Sequence, residues 1–354
     1  MVKMQAEIMY KRYVGRKKFV FAVLVIILFI LSFIALNLGA SSTTLLNLIS
    51  FFTGITDETA NLVLWRIRLP RILAAVVAGA ALSISGCIMQ NNLKNPLASP
   101  FTLGISNAAA FGANVAIILL DAGLTQSSTK DAIIINNPYL VSICAFVFSM
   151  IATLIVVKLA KLKFFSKEAI VLSGVSLGSL FTAATTLIQY FAQDYQVAAA
   201  VFWTFGDLGR VSYKEVLIMS ATTLISYIYF YIHRWDYNTL EASDDVAKSL
   251  GVDVEKVRIR SLVLVSLVTA TAVSFIGVIG FIGLIAPHIM RRIVGSDLRF
   301  LIPTSTILGS IILLLSDTLA RTIISPIVLP VGVLTSFLGA PLFLYLLIKG
   351  EGRR

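Results

Sequence analysis

The sequence contains few charged residues and very little cysteine or histidine. Charged residues make up 13% of its 354 positions, roughly half of the usual share in a soluble domain. The two cysteines, Cys87 and Cys144, lie within apolar runs, and the two histidines, His233 and His288, stand far apart. Without a CxxC pair or a His-rich tract, neither a disulfide framework nor a metal site is indicated. We therefore expect no cofactor in this chain.

Motifs for nucleotide binding and catalysis are also missing. The chain has no GxxxxGK[ST] segment, so it cannot hold phosphates in a P-loop. Its acids, serines and histidines are not spaced as a catalytic pair or triad, and we do not expect an enzyme. The net charge of +11 could indicate a nucleic-acid partner. In a chain this apolar, basic loops on the cytoplasmic face of a membrane explain it better.

Apolar residues make up 58% of the chain and the mean hydropathy is +0.91, which predicts an all-α polytopic membrane protein in the lipid bilayer. The clearest span, the uncharged run 72–89, can cross roughly 30 Å of hydrocarbon at about 1.5 Å per residue. Ten spans are predicted, near residues 19–38, 71–90, 101–120, 138–157, 169–191, 212–232, 259–277, 280–292, 301–320 and 331–348.

Separating the seventh span from the eighth depends on a break inside an uncharged stretch. Gly277, Gly280, Gly283 and Pro287 are residues that interrupt helices, and together they predict this break. With ten spans and a basic cytoplasmic tail at residues 1–18, most of the lysines and arginines fall on the cytoplasmic side. This distribution follows the positive-inside rule. It predicts that both termini are cytoplasmic.

Small residues recur at four-residue spacing in two of the spans. Such faces let helices approach closely in lipid, although they could instead line a wide passage. The first set is Ala75, Gly79 and Ser83, and the second is Gly174, Gly178 and Thr182. Acids within spans are nearly absent except Asp317, which lies four residues before Arg321 and can pair with it on one helix face.

Three of the connecting segments are predicted to contain short helices. Segments 41–65 and 193–211 carry apolar residues at helical intervals and are expected to lie at the outer surface. The longest cytoplasmic connection, 233–257, predicts a helix from Leu240 to Leu250 that ends at Gly251, followed by another from Val254. Ser243, with Asp244 and Asp245, provides capping chemistry in this connection.

Several segments of the chain carry a resemblance to a known family. They are RLPR, SGCIMQNNLKNPLASPFTLGIS, FWTFGDLG, AKSLGV, GVIGFIGLIAPHIMRRIVGSDLR and LPVGVLTSFLGAPLFLYLL. In these the sequence resembles the permease family of iron-siderophore, haem and vitamin B12 ABC importers, the FecCD type. The resemblance implies a single permease domain over residues 1–354, folded as a type II ABC importer permease bundle. It also implies three partner chains in or at the membrane, namely a second permease and two separate ATPases, with a substrate-binding protein outside. A homodimer of the permease is the simpler arrangement.

The resemblance also implies roles for individual residues. Arg68, Arg71 and Arg321 match arginines that dock the binding protein; alternatively they anchor helices at head groups or, for Arg321, pair with Asp317. The segment 241–251 matches helices that couple the permease to its ATPase, and its alternative is a solvated connector. Its matching residues are Glu241, Asp244, Asp245, Ala247, Leu250 and Gly251. The family's inner gate is expected near Ser166, Lys167 and Glu168.

Three functions remain open at this stage. The first is the permease subunit of an ABC importer for a ferric siderophore, in the plasma or inner membrane. The second is the same architecture carrying cobalamin or haem. The third is an ion-coupled secondary carrier acting alone, which the scarcity of buried ionisable groups argues against.

Overall fold

The computed structural model describes residues 2–38, 62–122, 137–162, 166–324 and 327–351. Within these ranges every regular element is helical. The helices are α1 (Val2–Asn37), α2 (Leu69–Leu93), α3 (Ile105–Asn114), α4 (Pro138–Lys161), α5 (Lys167–Tyr190), α6 (Asp194–Thr204), α7 (Tyr213–Ile232), α8 (Arg234–Ala242), α9 (Asp244–Ser249), α10 (Val254–Ile276), α11 (Ile282–Val294), α12 (Leu298–Thr322) and α13 (Val331–Glu351). A π-helical turn, Val63–Arg68, leads into α2, and another, Val115–Leu119, extends α3.

Each of the ten predicted spans coincides with one of these helices. Among the described residues, seven helices are long and apolar enough to cross a membrane: α1, α2 with its π-helical turn, α4, α5, α7, α10 and α12. The other three helices are shorter than the roughly 20 residues of a straight crossing. They are α3 with its π-helical turn, α11 and the apolar part of α13. The chain is therefore a multi-pass membrane protein.

The predicted break between α10 and α11 is confirmed, and its composition differs from the prediction. α10 ends at Gly277, whose φ of +78° lies in the left-handed region, and Phe281 with φ +67° precedes α11. Gly283 and Pro287 lie inside α11, so their assignment to the break was wrong. Gly283 instead packs against α2, where a Cβ on Gly86 would overlap the Gly283 carbonyl oxygen. The absence of a side chain at Gly283 permits close packing of α11 on α2.

Helix α2 runs through the centre of the bundle and packs on α10, α11 and α12. A Cβ on Gly79 would lie 2.5 Å from the Gly309 carbonyl oxygen, and Ser83 Oγ donates to the Ser305 carbonyl at 2.6 Å. The close-packing interpretation of the first set of small residues is therefore confirmed. The second set behaves similarly, since a Cβ on Gly174 would overlap the Thr102 carbonyl oxygen.

The connecting segments agree with the prediction in part. α6 confirms a helix within 193–211, whereas residues 41–61 of the other predicted outer segment, 41–65, lie outside the described residues. The predicted helix from Leu240 to Leu250 is wrong in its bounds, because two helices, α8 and α9, meet at Ser243. Ser243 has extended backbone (φ −161°, ψ 163°) that ends α8, and its side chain caps α9. Gly251, with φ +84°, ends the second helix as predicted.

Candidate functional site

Two polar clusters lie near opposite ends of α2. The arginine end consists of Arg68, Arg71, Asp317 and Arg321, and the amide end consists of Gln90, Asn91 and Asn92. About twenty helical residues separate the two clusters, which corresponds to roughly 30 Å along the helix. All seven side chains are at least nine-tenths buried.

At the arginine end, a fully buried carboxylate holds two guanidinium groups. Arg71 Nε donates to Asp317 Oδ1 at 2.8 Å, and Arg321 Nε donates to Asp317 Oδ2 at 3.0 Å. Arg71 Nη2 also lies 3.6 Å from Asp207 Oδ1. The predicted pairing of Asp317 with Arg321 is confirmed. The contact with Arg71 was missed, because 246 positions separate the two residues and no local periodicity relates them.

The same arginines also bind the end of α1. Arg68 Nη1 donates to the Leu36 carbonyl at 2.7 Å, and Arg321 donates to the carbonyls of Leu38 at 3.3 Å and Ala35 at 3.4 Å. The last carbonyls of a helix lack partners within it and carry a partial negative charge. Guanidinium groups at this position satisfy these carbonyls. The arginine end therefore joins α1, α2 and α12.

The three arginines predicted to dock a binding protein are thus placed inside the bundle. Arg68, Arg71 and Arg321 expose only 4%, 8% and 9% of their surface. Arg66 and Lys214 are exposed cations on the segments that begin α2 and α7. The docking role of the three arginines stays a prediction, while their part in holding the helices together is visible in the hydrogen bonds.

At the amide end, hydrogen bonding is incomplete. Gln90 Nε2 donates to the carbonyls of Gly283 at 3.3 Å and Leu284 at 3.2 Å, and Asn91 Nδ2 donates to Glu241 Oε2 at 2.9 Å. Among the described residues, Gln90 Oε1, Asn91 Oδ1 and both amide atoms of Asn92 have no hydrogen-bond partner. A buried amide atom in this state costs about 1 to 3 kcal/mol. These atoms therefore retain bonding capacity.

The predicted coupling residues lie on α8 and α9, next to the amide end. Arg258 Nη2 binds both carboxylate oxygens of Asp244, at 2.9 and 2.8 Å, and Lys94 Nζ lies 3.9 Å from the same carboxylate. Ser243 Oγ accepts a hydrogen bond from Val246 N at 3.0 Å, as its capping role predicts. The short helix α9 is therefore held at its first turn by a cap and an ion pair.

The remaining coupling residues divide between the interior and the surface. Ala247 is fully buried, whereas Asp245 and Gly251 are exposed and Leu250 exposes 66% of its surface. An exposed leucine directly after the held helix α9 offers an apolar contact to another chain. The coupling role itself stays a prediction.

Helix α8 is fixed to the start of α12. Asn238 Nδ2 donates to Asp297 Oδ1 at 3.2 Å, and Leu298 N donates to Asn238 Oδ1 at 2.9 Å. Burial would raise the pKa of Asp297, but hydrogen bonds from Arg299 and Asn238 outweigh it and hold the pKa below its usual value. Asp297 is therefore ionised at neutral pH and keeps both partners in place.

A cavity of about 330 Å³ opens beside the amide end. It is lined by Gln90, Lys94, Pro96, Glu241, His288, Arg291 and Arg292. The two neighbouring arginines belong to the segment PHIMRR, whose dense positive charge was the available signal in the sequence. The cavity was nevertheless missed, because its lining comes from α2, the turn that follows it, α8 and α11.

Two further clefts of about 490 Å³ each share the side chain of Phe101. One lies between α3 and α5, where Gly174, Gly178 and Thr182 form part of its wall. The other involves α11 and α13, including Phe281 and Phe337. None of the described residues that line either cleft is charged. Their walls offer few strong contacts to a solute.

The predicted gate lies at the start of α5. Ser166 caps this helix by accepting a hydrogen bond from Ala169 N at 3.2 Å, and Lys167 and Glu168 form its first turn. Residues 163–165, which precede it, lie outside the described residues. Across the described ranges, no group of three or more His, Cys, Asp or Glu side chains could hold a metal ion.

Comparison with known families decides the chain's membership. The FecCD transport family matches residues 24–349, nearly the whole chain. The chain belongs to this family. A proposed ABC transporter permease of Methanocaldococcus jannaschii is 52% identical over 341 residues, covering 96% of this chain and 97% of its own length. The hemin transport system permease of Yersinia pestis is 35% identical over 335 residues, covering 94% and 96%.

A solved structure supports the FecCD membership at the level of the fold. It shows an inward-facing conformation of a proposed metal-chelate type ABC transporter. The TM-score is 0.81 at 29% identity, covering 94% of this FecCD-family chain and 99% of the solved chain. The resemblance inferred from the sequence motifs is confirmed.

Proposed function

We propose that the chain is the transmembrane permease subunit of an ABC importer and forms part of the path for an iron chelate. The observation that carries the proposal is the family match over residues 24–349, because it includes the spans, the arginine end and the segment with α8 and α9. The chain has no P-loop of its own. ATP hydrolysis would therefore take place on two separate ATPase subunits.

In this proposal all ten helices that coincide with predicted spans cross the membrane, and both termini are cytoplasmic. The amide end and α8–α9 then face the cytoplasm, and the arginine end faces outward. A short helix transmits a displacement only if it is held rigidly. The ion pair of Asp244 with Arg258 and the contact of Asn91 with Glu241 supply that rigidity.

The docking of an extracytoplasmic binding protein is proposed at the arginine end. Arg68, Arg71 and Arg321 would bind its carboxylates, for which guanidinium groups are suited by their planar shape and permanent charge. Their burial sets a condition: an incoming carboxylate has to replace Asp317 or the α1 carbonyls. Lys214→Gln is the matched control for Arg321→Gln, since Lys214 is an exposed cation at the same end. Equal affinity of both variants for the binding protein would contradict docking through Arg321.

The translocation path is proposed to lie between two copies of this chain. The uncharged clefts beside Phe101 support this, because a path with weak contacts releases a bulky solute that the binding protein has gripped. Phe337, on α13 at one cleft, exposes 75% of its surface. A second copy would cover this wall and give the homodimer expected from the sequence. The segment from Ser166 to Glu168 remains the proposed inner gate.

The proposed substrate is a ferric siderophore, with cobalamin or haem as alternatives. A relative named as a hemin transport permease shares 35% identity, which favours the broader class of metal chelates. A secondary carrier acting alone is not favoured, because the family match and the scarcity of buried carboxylates both argue against it.

Co-purification from the native membrane tests the function. We expect an ATPase to accompany the chain at equal stoichiometry, and its identity follows from mass spectrometry. Reconstituted vesicles should then take up a ferric chelate only with ATP and the binding protein. A chain that purifies alone and accumulates substrate without ATP would overturn the importer function.

A further inference from the structure

The cavity beside the amide end, defined by the seven residues given above, carries an excess of positive charge. Lys94, Arg291 and Arg292 line it, against the single carboxylate of Glu241. That carboxylate already accepts a hydrogen bond from Asn91. Positive charge in a partly enclosed space, where water screens it less than at an open surface, attracts anions.

Arg291 has an unused pair of hydrogen-bond donors. Its Nε and Nη2 atoms are buried, and neither has an acceptor among the residues that the structure describes. These two atoms form one edge of the guanidinium group, and such an edge binds a carboxylate or phosphate through two parallel hydrogen bonds. A buried donor without a partner is costly. A ligand that supplies both acceptors would remove this cost.

A second arginine in the same region shows what this edge binds. In Arg299, which begins α12, Nε and Nη2 donate to Asp297 Oδ2 at 2.9 and 2.6 Å. The same atoms of Arg291, eight positions earlier, lack a carboxylate of the described chain. The contrast identifies the missing partner chemically as an oxyanion.

We propose that the cavity binds a small oxyanion, a dicarboxylate or a phosphate group, with Arg291 as the bidentate ligand. Lys94 and Arg292 add charge attraction, and Glu241 weakens it. The volume of about 330 Å³ equals roughly ten water molecules at about 30 Å³ each, enough for such an anion with part of its hydration. This site does not depend on the importer function.

Isothermal titration calorimetry tests the site on the full-length chain. The chain, with any subunits that co-purify, is placed in phosphatidylcholine nanodiscs and titrated with succinate or inorganic phosphate at constant ionic strength. We expect saturable binding that Arg291→Gln weakens at least tenfold, because charge-assisted hydrogen bonds are lost. Arg260→Gln is the matched control: this arginine is exposed on α10, and its loss should leave the affinity unchanged.

A variant that is expected to raise the affinity distinguishes loss of the anion site from a folding defect. Glu241→Gln removes the carboxylate from the lining, while its amide oxygen can still accept from Asn91 Nδ2. We expect affinity for both anions to rise about tenfold. Absence of saturable binding in both the unmodified chain and this variant, or binding that Arg291→Gln does not change, would overturn the proposal.

The source of the oxyanion is distinguished by the lipid. Nanodiscs that contain anionic phosphatidylglycerol should weaken succinate binding if a lipid phosphate occupies the site, and Arg291→Gln should remove that difference. Equal affinity in both lipids identifies a dissolved anion. Either result keeps an oxyanion site at Arg291.

Discussion

The two ends of α2 are equally buried but differ in how their polar groups are satisfied. At the arginine end, Asp317 binds Arg71 and Arg321, and Arg68 and Arg321 also donate to carbonyls of α1. Among the described residues, Arg71 Nη2 is the one buried donor of this cluster without a hydrogen bond, and it lies 3.6 Å from Asp207 Oδ1. At the amide end, buried amide atoms of Gln90 and Asn92 have no partner within the described ranges. A buried polar cluster in which most groups are paired stabilises one structure. Buried polar groups without partners can still form hydrogen bonds with a ligand or another chain.

The difference has a geometric origin. At the arginine end three helices of the same chain converge, so that Asp317 binds Arg71 and Arg321, and the end of α1 accepts from Arg68 and Arg321. At the amide end the adjoining cavity has three cations and one carboxylate. Most donors of the buried arginines have acceptors within the described ranges at the arginine end, whereas Arg291 Nε and Nη2 beside the amide end have none. The arginine end is therefore expected to contribute more to the free energy of unfolding, and the amide end more to contacts with other molecules.

The largest effect is expected from Asp317→Ala. This change leaves the guanidinium groups of Arg71 and Arg321 buried without their carboxylate, and breaking a buried ion pair in this way costs about 3 to 5 kcal/mol. Denaturant unfolding of the detergent-solubilised protein measures the loss. Glu7→Ala is the control, because the pair of Glu7 with Lys11 is exposed and contributes between about 0 and 1 kcal/mol. Equal stability of the two variants would remove the distinction between the ends of α2.

A smaller loss is expected from Gly86→Ala, which lies on α2 between its ends. Its new methyl group would overlap the Gly283 carbonyl oxygen of α11, and overpacking of this kind costs about 1 to 3 kcal/mol. Because α11 carries Arg291, the displacement should disturb the amide end more than the arginine end. Hydrogen–deuterium exchange should rise in α11 before it rises in α12.

Gly15→Ala is the matched control for this substitution. Gly15 lies within α1, and a Cβ added there meets no atom within 4 Å. Alanine is favoured over glycine in a helix by about 1 kcal/mol, so this variant should be slightly more stable. Destabilisation by both substitutions would show that glycine at position 86 has no special packing role.

The sequence predicted the helices better than the contacts between them. Uncharged runs and the break at Gly277 located all ten predicted helices, because hydropathy and helix breakers are local properties. Ser243 and Gly251 were recognised as helix-end residues for the same reason. The contacts of Arg71 with Asp317 and of Asn91 with Glu241 join distant positions. No single-sequence pattern encodes such pairs.

The burial of Arg68, Arg71 and Arg321 was unpredictable for a related reason. A charged group near the end of an apolar run normally lies at the membrane interface. Arg68 and Arg321 are buried because α1 ends beside them and supplies carbonyl acceptors. That arrangement depends on the packing of three helices.

At the amide end, Asn92→Leu should increase stability, whereas Asp317→Ala at the arginine end should decrease it. Both amide atoms of Asn92 lack hydrogen-bond partners among the described residues. An apolar side chain of similar size removes this unfavourable burial and should raise the free energy of unfolding by about 1 kcal/mol. Transport should fall if these amide groups serve an interaction. Asn114→Leu is the control: Asn114 is buried but paired with Ala110 and Gln189, and its loss should destabilise the protein. A destabilised Asn92→Leu variant would contradict the contrast.

The smallest effect is expected from Ser243→Ala, which loosens α9 beside the amide end. Ser243 Oγ accepts from Val246 N, and loss of such a cap costs about 1 kcal/mol. Because α9 has only six residues, the cost should appear as local opening, with amide exchange in α9 about fivefold faster and little change in global unfolding. Ser249→Ala is the control, since Ser249 donates to the Val246 carbonyl but caps nothing. If amide exchange in α9 stays unchanged while substrate uptake falls, uptake does not depend on the rigidity of α9, and this prediction is wrong.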